Sequence, residues 1–176
     1  MTWKQLIESF LIQPSKLVDH PRRTLACLSI TFSPISLEGG LLSVLGLHSI
    51  VKAKLISGLP EPDLSSGHDM GVQLFYKDCT QALQSALLVD SILANYKMHA
   101  SVSLGYGAGI ELEGLWKSTE AFRAERLNYY SSVHEIAATQ SFMSAITVPP
   151  GIGSYQAPIK LQKAAGFAFW ILKDYR

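Results

Sequence analysis

The sequence predicts an α+β domain built on a ferredoxin-like sheet with crossover helices. Three observations predict it. Strand-like apolar runs alternate with long stretches of helical period along the chain. The composition, 48% hydrophobic and 16% charged, supplies ample apolar material for a packed core. The length of 176 residues suits one domain with a short appendage, and no internal repeat divides it. Such alternation predicts a sheet covered by helices on one face.

The elements follow in order. Trp3, Leu6, Ile7, Phe10 and Leu11 share one helical face, which predicts a short amphipathic helix over residues 3–12. Pro14 and then His20-Pro21 end it, so 1–22 read as helix and linker ahead of a domain spanning 23–176. That helix is placed to cap the domain or to meet a partner. Thr24 to Phe32 reads as a buried strand closed by Pro34. Ser36 to Ile56 is apolar at helical spacing (Leu41, Leu42, Leu45, His48, Ile50, Leu55), although its glycines weaken it. Pro, Gly and Ser content makes 58–67 a loop.

Gly71 to Tyr76 alternates as a strand, and Asp78 is the N-cap expected for a helix from Cys79 to Asn95. Met98 to Leu104 is a strand that runs into Gly105-Tyr-Gly-Ala-Gly109. This cluster lacks the Lys-Ser/Thr of a phosphate loop, so it reads as a backbone bend. Ile110 to Leu115 is then the return strand of a hairpin. Ser118 to Leu127 is helical, Glu135 to Thr139 a short strand, and Ser141 to Ile146 a helix. Pro149, Pro150 and Gly151 mark a turn, and the aromatic, β-branched run Ala165 to Leu172 reads as the last strand.

Composition excludes several functions. The formal charge is +1 with Lys and Arg scattered, so no nucleic-acid footprint is present. Cys27 and Cys79 are too few and too distant for a disulfide framework or a zinc site, and both sit in apolar stretches as buried free thiols. No His pair has metal spacing, and no nucleophile elbow surrounds a Ser or Cys. The start lacks a signal-peptide pattern, and no transmembrane segment of about 18 uncharged apolar residues occurs. The expected location is cytoplasmic.

Several short motifs recur in one order from about Leu25 onward. They are Phe32-Ser33-Pro34-Ile35, Gly67-His68-Asp69 leading to Phe75, the glycines at 105 and 109, and Ala121-Phe122-Arg123-Ala124-Glu125-Arg126-Leu127 followed by Glu135-Ile-Ala-Ala-Thr139. In this order the chain resembles the class III adenylate/guanylate cyclase homology domain, in degenerate form. The resemblance implies a nucleotide-cyclase-like fold and a site at a dimer interface. It also implies a first metal-binding Asp, where Pro34 stands here. The second metal position falls on Asp69 counted back from Phe75, or on His68 counted from Gly67, and Asp69 is preferred. Arg126 takes the place of the arginine that stabilises the transition state, Phe122 that of the ribose-orienting asparagine, and Ser65 that of the adenine-selecting lysine.

Cyclisation is an in-line attack of the 3′-oxygen on the α-phosphorus, and it needs two metal ions held by hard oxygen donors. Pro34 offers none, and Arg126 alone has little charge to act on. Cyclase activity is therefore not expected, and neither is a cofactor, with Mg or Mn required only if the remnant cleft works. The function expected is that of a pseudoenzyme in signalling, acting as a homodimer or with a protein partner. Tyr129 and Tyr130, directly after the Arg126 helix, suit an interaction face. The alternative is a nucleotide-binding sensor or weak cyclase that lines its cleft with Gly67, His68, Asp69 and Arg126. The bland readings are a turn carboxylate for Asp69 and a helix-end cation for Arg126.

Overall fold

A computed structural model describes residues 22–34, 40–68, 71–112 and 115–175. The amphipathic helix expected at 3–12, the linker and Asp69 lie outside the described residues. β1 (Arg22–Pro34) is the hub, and α1 (Gly40–Gly58) carries the chain to the hairpin β2 (Leu64–His68) and β3 (Gly71–Tyr76). α2 (Cys79–Ala94) then leads to β4 (Met98–Leu112). β5 (Leu115–Lys117), α3 (Thr119–Leu127), β6 (Glu135–Thr139), α4 (Gln140–Ala145), β7 (Ile152–Gln156), α5 (Ile159–Ala165) and β8 (Phe169–Asp174) complete it.

The described strands form one sheet in the order β2-β3-β1-β4-β6-β8-β7, with β5 paired to β4. β1 is antiparallel to both β3 and β4, and β2 is antiparallel to β3. Residues 22–112 thus make a βαββαβ unit of ferredoxin-like topology, as expected. Half of its hairpin lies in the segment 58–67, where composition predicts a loop. Residues 64–68 are a strand, because Ser65, Ser66 and Gly67 find a ladder on Leu74, Gln73 and Val72. Their composition carries little strand preference, so pairing decides.

The period-2 pleat of β1 sends alternate side chains to opposite faces. Ala26, Leu28, Ile30 and Phe32 enter the larger core with Val51 and Leu55 of α1 and Ala82, Leu83, Val89 and Leu93 of α2. Asp78 caps α2 as expected, its carboxylate accepting from the Thr80 amide at 2.8 Å. On the opposite face, Leu25 and Cys27 pack with Phe75, Trp116 and the Ala121 and Ala124 side of α3. Leu127 joins Ala165 of α5 and Phe169 and Ile171 of β8 in a third cluster. Helices therefore cover both faces, not the one expected. The short α3 carries alanines inward and charges outward, a pattern that does not reveal which sheet face it takes.

The glycine cluster is also corrected. It is no bend: β4 runs unbroken through it. Gly105, Gly107 and Gly109 lie opposite Cys27, Leu25 and Arg23 and so share the α3 face. A Cβ at Gly105 would stand 2.5 Å from the Glu120 carbonyl oxygen, at Gly107 2.7 Å from Glu120 Cγ, and at Gly109 2.5 Å from Trp116 Cε2. The stripe is a bare track on which α3 and β5 lie close. The hairpin is consequently shifted, with its return strand at 115–117.

The C-terminal reading needs a similar correction. Ala165 ends helix α5, Gly166 stops it at φ 86°, and the last strand is 169–174. Pro158 before α5 and Gly166 after it were the available signals. Edge strand β7, polar and exposed at Ser154, Tyr155 and Gln156, exists only through its pairing with β8.

Candidate functional site

Two neighbouring regions carry the predicted residues. The first is the C-terminal end of β1. Pro34 is its last residue, opposite Met98 of β4. Thr31, just before it, is flanked by Gly71 of β3 and Ser101 of β4. Gly71 also closes the β2–β3 ladder against His68, which brings that alternative for the second metal position to the same end of the sheet as Pro34. Gly67 pairs with Val72 in β2, and Ser65 lies on the same edge strand. A lysine does come to this edge, but from α1. Lys52 Nζ stands 3.5 Å from where a Gly67 Cβ would be. One apolar-helix lysine carries no mark of this in the sequence.

His48 of α1 lies under this end. It is 4% exposed and stacks on Phe32, with ring centroids 4.4 Å apart and planes 17° from parallel. Burial holds the imidazole below its ordinary pKa of 6.5; the Phe32 backbone opposes it in part, and the Lys52 charge adds a still smaller lowering. The unfolded chain therefore binds this proton more readily than the folded one. The His48 contribution is full above pH 6.5 and is lost as pH falls from there through the folded value. Urea denaturation should show stability falling between pH 7 and pH 5, with a shallower slope in His48→Leu. An unchanged slope in that variant would refute the assignment.

The second region is the outer face of α3. Ser118 caps the helix, its hydroxyl accepting from the Ala121 amide at 3.0 Å. With Ala121, Ala124 and Leu127 turned inward, Phe122, Glu125 and Arg126 face out. Phe122 is 64% exposed and Tyr129, in the turn that follows, 86%. These residues and Tyr130 wall a cavity of about 360 Å³. Arg126 donates to the Ala164 carbonyl at 3.4 Å, at the C-terminal end of α5, and the Tyr130 hydroxyl donates to the same oxygen at 3.0 Å. Gln73 of β3 reaches Glu125 at 3.4 Å. Phe122 and Arg126, one helical turn apart, thus lie in the same wall. Gly67 and His68 are not among the described walls of this cavity.

Both predicted free thiols are buried. Burial drives the Cys27 thiol far above its ordinary range and Cys79 up to about 11, so neither is poised as a nucleophile.

No family model matches the sequence, and no curated protein matches it. Solved structures do. The guanylate cyclase domain of a rhodopsin–cyclase from Catenaria anguillulae, in complex with GTP, superposes with a TM-score of 0.66 at 11% identity, covering 89% of this chain and 99% of that one. An adenylyl cyclase from P. aeruginosa gives 0.62 at 14%, covering 90% and 97%. The fold is that of a nucleotidyl cyclase domain. A non-canonical dimeric guanylyl cyclase domain from Blastocladiella emersonii gives 0.61 at 10%, covering 87% and 97%. At such identities the likeness is one of fold, and the chemistry has to be argued from this chain's own residues.

The sequence resemblance implies a two-metal centre, and Pro34 stands where it implies the first metal-binding Asp. Pro34 has no side-chain oxygen to offer. Among the described residues no three His, Cys, Asp or Glu side chains are grouped to hold a metal ion. Among them too, no helix is long and apolar enough to cross a membrane.

Proposed function

We propose that this chain is a noncatalytic cyclase-fold module that acts in signalling by association with a second copy or a protein partner. One observation carries the proposal. The face where the cyclase resemblance puts its reacting groups carries exposed Phe122 and Tyr129 around Arg126. Exposed aromatics with an arginine are the composition of contact hot spots. Pro34 supports the same reading, since the chemistry lacks a donor where it needs one.

Sedimentation equilibrium of the full chain tests it. Association is expected, weakened roughly tenfold or more by Phe122→Ser with Tyr129→Ser. Incubation with ATP or GTP and manganese should yield no cyclic nucleotide. A strict monomer at high concentration, or turnover abolished by Arg126→Ala, would overturn the proposal.

The cavity beside Arg126 favours a second reading, that of a nucleotide-binding sensor, because its rings offer a stacking surface beside a cation. Calorimetric titration with ATP and GTP, with and without magnesium or manganese, separates the two. Binding lost in Arg126→Ala supports the sensor, and no binding removes it.

A further inference from the structure

Asn128, directly after α3, reads in sequence as a helix-end residue, but its side chain goes inward and is 7% exposed. It lies among three hydroxyls: Ser29 and Thr31 of β1 and Ser103 of β4. Ser29 and Ser103 are fully buried. The Ser103 hydroxyl also donates to the Ala124 carbonyl of α3. That bond uses its only proton, so Ser103 must accept from Asn128. The amide orientation follows. Its nitrogen donates to Ser103 Oγ at 2.7 Å and approaches the Ser29 and Ser101 carbonyls at 3.2 and 3.3 Å. Its oxygen accepts from the Thr31 and Ser29 hydroxyls, each at 3.0 Å.

Such a network is a costly way to hold a helix down, because every member has to be desolvated and then satisfied. Its distinctive property is direction. The inward side chains of α3 are the small Ala121 and Ala124, beside a glycine track that offers no side chain to interlock, and Leu127, which packs on Ala165, Phe169 and Ile171. Apolar burial favours closeness without fixing rotation or register. The hydrogen bonds fix both, where the chain leaves the helix. Tyr129 N donates to the Arg126 carbonyl at 3.3 Å and Tyr130 N to the Leu127 carbonyl at 2.9 Å, so Arg126, Tyr129 and Tyr130 leave from the turn that Asn128 holds.

We infer that Asn128 is the positioning residue of the aromatic–arginine face, a polar pin that sets the rotation of the last turn of α3 without touching the bound partner. The inference rests on the association reading for its functional consequence, but not for its structural one. An all-apolar variant tests it: Asn128→Leu with Ser29→Ala, Thr31→Val and Ser103→Ala. Replacing a buried polar network by apolar groups of similar size is often neutral for stability. The thermal midpoint should therefore stay near that of the wild type. Amide hydrogen exchange over 125–131 should nevertheless rise roughly tenfold, with the β1 and β4 amides still protected, and self-association should weaken by a similar factor.

Wild-type exchange over 125–131, or exchange raised equally across β1 and β4, would overturn the inference. So would undiminished association. If the fourfold variant does not fold, Ser103→Ala alone should give the same local pattern, and its absence would refute the pin. If the wild type never associates, the association reading fails by itself, and the exchange pattern decides the role of Asn128.

Discussion

Gly105→Val is expected to cost about 3 kcal/mol or more, enough to unfold a domain of ordinary stability in mild denaturant. The reason is steric and local. The new Cβ would lie 2.5 Å from the Glu120 carbonyl oxygen, 3.2 Å from its carbon and 3.3 Å from the Ala124 Cβ. The nearest of these are backbone atoms in the first turn of α3 and cannot rotate aside, so the helix has to lift from the sheet. Lifting also pulls Ala124 from Ser103 and strains the Asn128 network, so the losses share one structural unit and compound. Gly67→Val is the matched control. There the nearest atom is the flexible end of Lys52 at 3.5 Å, and the cost should be small. Urea midpoints of the two variants measure the contrast, and equal midpoints would show that the glycine track does not carry α3.

Phe32→Ala is expected to cost 3–5 kcal/mol, the usual range for a large aromatic removed from a core. Phe32 is 1% exposed and lies at the end of β1 that leads to Pro34, with His48 stacked on its ring. The substitution opens a cavity and also admits water to the imidazole. The His48 pKa should then rise toward its ordinary 6.5, because burial is the main cause of its depression. Two readouts follow. Stability at pH 8 should fall by the full amount, and the further loss between pH 7 and pH 5 should be smaller than in the wild type. Urea curves at several pH values test both. A variant as pH-sensitive as the wild type would place the titrating group elsewhere.

Much of the scaffold was legible in the residues. The apolar run Thr24 to Phe32 could be read as a buried strand, and β1 runs through all of it. Asp78 announced α2, and Ser118 opened α3 close to where its spacing put it. The missed elements share a cause. Ser65-Ser66-Gly67 and Ser154-Tyr155-Gln156 have weak intrinsic strand preference, and each becomes a strand because a better strand beside it has an unpaired edge. Strand formation of that kind is a property of the neighbour.

The candidate site divides along the same line. The sequence placed Phe122 and Arg126 in one predicted helix, 118–127, and Pro34 could be read as a position that offers a metal no oxygen. The walls of the cavity, the approach of Lys52 to Gly67 and the turn of Asn128 beneath α3 arise between segments far apart in sequence. A lone asparagine after a helix looks like any cap until two strands supply three hydroxyls around it.

The sequence by itself determined the α+β class, the order of the long elements and the absence of a carboxylate at the end of β1, because these depend on periodicity and on residue chemistry. Only the tertiary structure decided that helices cover both faces, that the glycine cluster is a track and not a bend, and that Asn128 points inward. Those outcomes depend on which segments meet, and that is settled by pairing and packing across the whole chain.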